Sequence, residues 1–295
     1  MIDPRRFALG SIAISVIAFG LKLLAWRVSG SAALYSDALE ALVNIAASIL
    51  AFYALYTAAK PADREHPYGH AKAELLSAVA EGALILVAAV LILERAAFGF
   101  LHPALPRAPW TGLALNAGGG AFNAAWALAL HRFSQGGRFP ALAADAAHLF
   151  ADTLTTIGII IGLTAAILLR LPVLDPLIAV AIALQIAFIG GRTVLRSLSG
   201  LLDEAPPPAI TERVRSLVRS HATGALEAHD LRIRQAGRSS FLEFHLVVPG
   251  VMPVAEAHVI CDRIEAALKA EMPGVIITIH VEPDGKAKHH GVLVL

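Results

Sequence analysis

The chain is poor in cysteine, poor in charge, and without an excess of either sign. A single cysteine, Cys261, excludes an internal disulfide and every multi-cysteine zinc site, so bound metal would have to rest on imidazole nitrogen and carboxylate oxygen. Charged residues fill 16% of the 295 positions, against about a quarter in an ordinary soluble domain. That is too few to cover a water-facing globule. Lys and Arg number 24 against 23 Asp and Glu, a net charge of +1, so the electrostatic footprint that holds nucleic acid or other acidic polymers is missing. What the chain does have is 57% hydrophobic residues and 12 histidines, with a mean hydropathy of +0.66. The reading is a polytopic membrane protein in which metal binding by histidine is open.

Crossing about 30 Å of hydrocarbon takes roughly 20 apolar residues. Six such stretches lie near 7–28, 33–59, 73–100, 110–132, 141–170 and 174–199, separated by polar or Pro/Gly breaks. The first follows Arg5-Arg6 in the manner of a signal peptide, but the five behind it argue for a retained span. Arg5, Arg6, Lys60, Arg64, Lys72, Arg132 and Arg138 fall on one side, and Arg27, Arg107 and Arg170 on the other. The positive-inside rule therefore places both termini in the cytoplasm.

After Pro206-Pro207-Pro208 the composition turns soluble. The expected division is a transmembrane domain over 1–203, a cytoplasmic domain over 204–284 and a disordered tail over 285–295. Periodicity predicts helix at 210–221, strands at 228–235 and 241–248, helix at 253–272 and strand at 275–282. The result is an α-helical membrane protein with six transmembrane helices, followed by a small α/β domain of αββαβ order. About 80 residues make a sufficient core if that domain pairs with a second copy.

Polar groups inside the apolar stretches carry the chemistry. Asp37, Glu40 and Asn44 in the second span, and Asp145, His148 and Asp152 in the fifth, repeat the spacing i, i+3, i+7 and so share one helix face in each. A carboxylate at this depth costs about 2.5–3.5 kcal/mol on insertion scales and normally marks an ion or proton path. Helix-to-helix hydrogen bonding is a weak explanation for five ionisable groups in one repeated stripe. Facing each other, Glu40, Asn44, His148 and Asp152 offer three oxygens and one nitrogen, a set suited to a borderline divalent metal. With His148 neutral, the two carboxylates balance one M²⁺, and protons compete with metal for the same atoms. Asp37 on one side and Asp145 on the other are expected to act in approach or proton relay.

The loop after the second span holds Asp63, His66 and His70 at ligand spacing. In the soluble domain, His245, His280 and Glu282 fall on polar strand faces, with His229 and His258 near in the predicted topology, which points to a further metal cluster. His102, His131 and His221 read as interfacial or surface, and His289 and His290 as part of the tail. Gly118-Gly119-Gly120 lacks a Walker context and reads as a device for close packing or bending.

Taken together these residues resemble the cation diffusion facilitator family of zinc and divalent-metal efflux transporters, with a likeness to its bacterial ferrous-iron/zinc branch. The likeness covers nearly the whole chain. It is carried by the six spans, the paired tetrad, Asp63-x-x-His66-x-x-x-His70-x-Lys72, His229-Asp230-Leu231-Arg232-x-Arg234-Gln235, and Ile279-His280-x-Glu282-Pro283. The resemblance implies a homodimer in the inner membrane working by alternating access, with metal leaving the cytoplasm against inward proton flow. It also implies a transport site of Glu40, Asn44, His148 and Asp152, a loop site of Asp63, His66 and His70, and a dimer-interface site of His229, His245, His258, His280 and Glu282. Lys72 and Asp203 would form a charge interlock. Three positions depart from the family: Asn44 stands where Asp is usual, Glu40 where Asp or His is usual, and Glu282 where the near branch has Asp.

The expected function is proton-coupled antiport of divalent metal, with Zn²⁺ foremost and Fe²⁺, Cd²⁺, Co²⁺, Ni²⁺ and Mn²⁺ as further candidates. Divalent metal ions, protons and the lipid bilayer are the expected partners, with no organic cofactor. An intramembrane metalloenzyme using His66 and His70 would need a His-Glu-x-x-His arrangement that the chain lacks, so no enzyme is expected. A membrane metal sensor or scaffold that no longer transports stays open because of Asn44.

Overall fold

The computed structural model describes residues 4–134, 140–236, 239–288 and 292–293. Six long helices come first: α1 (Pro4–Ser29), α2 (Ala32–Ala58), α3 (Ala73–Leu101), α4 (Pro109–Ser134), α5 (Pro140–Leu168) and α6 (Leu174–Leu201). Their ends follow chemistry that the sequence carries. Gly30, at φ +69, closes α1, and its N–H reaches the Trp26 carbonyl at 2.7 Å.

The start of α2 is capped from a distance. The Asp175 carboxylate accepts the N–H groups of Ala32 and Ala33 at 2.9 Å each and the Ser31 hydroxyl at 2.6 Å. An anion on free N–H groups at a helix N-terminus is favoured by hydrogen bonding and by the helix dipole.

All but α4 contain a stretch long and apolar enough to cross a membrane. The fourth of the six expected spans is the least apolar, because Asn116, Asn123 and the Gly118–Gly120 run dilute its hydropathy. That glycine run meets its neighbours closely. A Cβ at Gly119 would lie 3.1 Å from the Ala18 carbonyl, and one at Gly120 would lie 2.8 Å from Thr156 Cγ2. Small residues thus let α4 approach the backbone of α1 and the Thr156 side chain of α5 closely.

The chain divides into two compact units, Met1–Tyr53 with Ser77–Leu195, and Ala54–Leu76 with Arg196–Leu295. The division does not follow residue 203, since the ends of α2, α3 and α6 and the loop between α2 and α3 group with the C-terminal part. In the first unit, Leu34, Ile92, Ile159 and Leu163 are fully buried among alanines.

The second unit contains α7 (Pro208–His221), β1 (Glu227–Ala236), β2 (Ser239–Val248), α8 (Val254–Glu271), β3 (Val275–Pro283), a 3-10 turn at Asp284–Lys286, and β4 (Val292–Leu293). The sheet order is β3-β2-β1-β4. β1 pairs antiparallel with β2, and β2 parallel with β3, which requires the α8 crossover. Leu242, Phe244 and Leu246 of β2 pack with Val214, Val218, Ile260, Ile264 and Leu268 of the two helices. The opposite sheet face is left to the residues that alternate with them. The expectation of a disordered tail from 285 is corrected in its described part. β4 pairs with Glu227 and Ala228 of β1, filling an edge whose backbone groups would otherwise lack ladder partners. His289 and His290 lie outside the described residues.

Candidate metal sites

α2 carries Glu40 and Asn44 one turn apart, and α5 carries His148 and Asp152 one turn apart. All four line a single cavity of about 140 Å³, which Ile85 and Ala88 of α3 and Gln185 and Ile186 of α6 also line. The Asn44 amide nitrogen donates to Asp152 Oδ2 at 2.9 Å, and His148 Nε2 stands 4.0 Å from Asp152 Oδ1. Glu40 Oε2 is buried with no hydrogen-bond partner among the described residues. An orphaned carboxylate oxygen in an apolar cavity is costly unless something of opposite charge joins it. Gln185, which the sequence reading passed over, adds an amide to the wall; a lone polar residue in an apolar stretch was its signal.

Asp37 does not stand open to this cavity. It is 1% exposed, paired with Lys22 Nζ at 2.7 Å, and its Oδ2 accepts the Thr156 hydroxyl at 3.1 Å. Asp37, expected as an approach or relay group, thus has a cation partner from α1 that the pattern of acids alone does not reveal. The side chain of Asp145 lies outside the described residues.

In the loop after α2, the ligand atoms of Asp63, His66 and His70 all lie within 4.8 Å of one another. Asp63 Oδ1 accepts the N–H of His66 at 2.7 Å and of Glu65 at 3.0 Å. The His66 N–H is the main reason that this carboxyl is held below its ordinary range. Gly69, at φ +82, makes the turn that brings His70 back, with its Nε2 3.4 Å from Asp63 Oδ2. Three ligands leave a fourth position open for water or another donor.

Lys72 and Asp203 lie together, Nζ to Oδ1 2.9 Å, and Lys72 also donates to the Leu201 carbonyl at 3.2 Å. Arg234 joins from β1 at 3.4 Å, its guanidinium 4.1 Å above the Phe241 ring. The hydrogen bond from Lys72 pulls the Asp203 carboxyl below its ordinary range.

Strand register assembles the soluble cluster: His229 sits opposite His245, and His245 beside His280. Glu282 reaches all three, at 3.4 Å from His229 Nε2, 3.2 Å from His245 Nδ1 and 3.6 Å from His280 Nε2. Two further acids were missed from sequence. Glu227 Oε1 lies 2.9 Å from His229 Nδ1, which fixes that ring and leaves Nε2 for a ligand role. Asp230, at φ +53 where the register shifts between His229 and Arg232, brings its carboxylate within 4.8 Å of the ligand nitrogens of His229 and His245. Lys288 holds the Asp230 carboxyl below its ordinary range.

His258 does not join. It lies on α8, on the helix side of the sheet, with Nε2 3.6 Å from Asp262. The cluster occupies the other face, because Leu242, Phe244 and Leu246 take the helix side. The expected fifth ligand is therefore corrected within one chain.

Residues 8–202 match the family model of the cation efflux transmembrane domain, and residues 206–284 that of the cation efflux protein cytoplasmic domain. An uncharacterised transporter of Synechocystis sp. is 38% identical over 288 residues, 97% of this chain and 93% of that protein. The cation-efflux pump FieF of Yersinia pestis is 31% identical over 280 residues, 94% of this chain and 91% of the pump. Among solved structures, the Zn form of CzrB is 54% identical over 29% of this chain and 98% of its own, with a TM-score of 0.28. The metal-bound C-terminal domain of the CzcD transporter from Thermotoga maritima is 27% identical over 28% and 95%, with a TM-score of 0.26.

Proposed function

This chain belongs to the cation efflux family, and from that premise we propose that it exports divalent metal, Zn²⁺ foremost, from the cytoplasm in exchange for protons. Glu40, Asn44, His148 and Asp152 are the transport site in this reading. The observation that carries it is the facing of two ligand pairs across α2 and α5 in one cavity, with Glu40 Oε2 buried and unpartnered among the described residues. Glu40 and Asp152 balance a divalent charge without help from Asp37, which Lys22 already neutralises. Metal entry would displace protons from Glu40, His148 or Asp152, and protons arriving from the other side would displace metal. That competition converts a proton gradient into metal efflux, given a protein that exposes the site to the two sides in turn.

The reading continues with both termini in the cytoplasm and the chain multi-pass in the inner membrane. The loop site and the β-sheet cluster bind metal from that side. His258, kept away from its own chain's cluster, would reach that of a partner copy in a homodimer. Metal there favours one arrangement of the dimer by differential affinity.

Proteoliposomes carrying a metal-sensitive dye and an imposed pH gradient test the proposal. Zn²⁺ flux that follows the gradient, with Fe²⁺, Mn²⁺, Co²⁺, Ni²⁺ and Cd²⁺ compared, is the expected result. Absence of flux for every metal from folded, dimeric protein would sink it and favour a non-transporting sensor. The Asn44 to Asp152 hydrogen bond, which occupies a ligand carboxylate, is the observation that keeps this second reading in view.

A further inference from the structure

A second cavity, of about 400 Å³, lies at the end of the bundle where α1 joins α2, α3 joins α4, and α5 joins α6. Its wall carries Arg27, Arg95, Arg107 and His102, with Asp175 as its one carboxylate. Asp175 is largely engaged elsewhere: Ser31 and Ala33 occupy its Oδ1 and Ala32 its Oδ2, which leaves one acceptor site of about four. No ion pair joins any of the three arginines to a carboxylate among the described residues. Arg95 donates from Nη2 to the Gly30 carbonyl at 3.0 Å, while its Nε is buried without a partner. Arg27 rests against Trp26, 5.1 Å from the ring centre.

Three guanidiniums on one concave surface repel one another unless an anion sits among them. Each presents N–H donors in a planar fork that matches the oxygens of phosphate. Arg95 stands six residues before the end of α3, about 9 Å down the helix, so the cavity reaches from the interface toward the level of the acyl boundary. Basic pockets between transmembrane helices hold anionic headgroups on the cytoplasmic side of membranes, and the same chemistry of guanidinium and phosphate applies to a pocket on the other side.

We propose that this cavity binds a phosphate-bearing anion, the headgroup of an anionic phospholipid or a free phosphate, through Arg27, Arg95 and Arg107. The site is separate from every metal site described above, and its occupancy can be read without metal flux.

The test uses the full chain, delipidated in detergent, and three probes: phosphatidylcholine vesicles, the same vesicles containing phosphatidylglycerol, and inorganic phosphate. Lipid retention is read by native mass spectrometry and stabilisation by thermal unfolding. The wild type should retain phosphatidylglycerol over phosphatidylcholine, and Arg27→Glu and Arg107→Glu should each weaken that preference by roughly tenfold or more. Both substitutions are at exposed positions. Arg170→Glu, in the α5 to α6 turn but outside the cavity wall, should leave it unchanged. If inorganic phosphate stabilises the wild type and not Arg107→Glu, while lipid charge has no effect, the occupant is the free anion. Equal behaviour of all probes on the wild type, or an equal loss with Arg170→Glu, would overturn the proposal.

Discussion

Lys22 and Asp37 form a closed ion pair inside the bundle, 2.7 Å from Nζ to Oδ1 and both about 1% exposed. Asp37 is one turn from Glu40 on α2, and Thr156, which donates to Asp37, is one turn from Asp152 on α5. The pair thus fixes both helices next to the proposed ligands. Removing one partner of a buried pair strands a charge, at a cost of about 3–5 kcal/mol. Lys22→Met and Asp37→Asn should each lower the unfolding temperature, and the double variant should recover part of the loss. Purely additive losses would refute a direct pairing energy.

Asp152→Ala should abolish metal flux while leaving the fold intact. Size-exclusion and thermal unfolding profiles like those of the wild type, with flux at background, are the expected results. Normal flux from a correctly folded variant would overturn the site assignment.

Asn44→Asp replaces a hydrogen-bond donor to Asp152 with a third carboxylate at the cavity. Metal affinity should rise, by roughly tenfold for each 1.4 kcal/mol gained, the order of preference among metals should change, and more protons should be released per metal bound. Calorimetry in buffers of different ionisation enthalpy measures affinity and proton count together. An unchanged metal order would show that Asn44 does not tune selectivity.

Glu227→Gln keeps the shape of the side chain against His229 but removes its charge. Loss of such a carboxylate behind a ligating histidine typically costs 10–100-fold in metal affinity. A fall of that size in Zn²⁺ binding, without the complete loss expected for His245→Ala, is the outcome looked for by titration.

Asp203 has its carboxyl held below the ordinary range by Lys72. Depression in the folded state means that the interlock's stabilisation is present above the unfolded carboxyl value, about 3.9. It is lost as pH falls through the lower folded value. Asp203→Asn should therefore lower stability at neutral pH, and the difference from wild type should shrink steadily below about pH 4. A gap that persists undiminished into strong acid would mean that the pair contributes nothing through its charge.

Helix positions were legible because long apolar runs bounded by Gly, Pro and charge leave little choice, and the αββαβ order because Leu242, Phe244 and Leu246 alternate with polar neighbours. Side-chain partners on different elements were not. Asp175 caps α2 from the start of α6, and no local pattern announces that. Lys22 is one cation in an apolar stretch, and nothing in its spacing names Asp37. Asp230 follows His229 directly, so strict alternation sends it to the other face; the positive φ at the register shift turns it back. His258 fell outside the cluster because counting histidines in a module does not say which face of the sheet each one serves.

The Asp175 cap also has a mechanical meaning. With three hydrogen bonds joining its carboxylate to the start of α2, that end is a fulcrum, and sliding along the helix axis would have to break all three. Tilting costs far less. α2 is 27 residues long, a lever of about 40 Å at 1.5 Å per residue. A tilt of about 5° carries its far end roughly 3.5 Å, yet moves Glu40, about 12 Å from the pivot, by only about 1 Å. Leverage of this kind lets the remote end of the helix swing widely while the ligand pair keeps its grip.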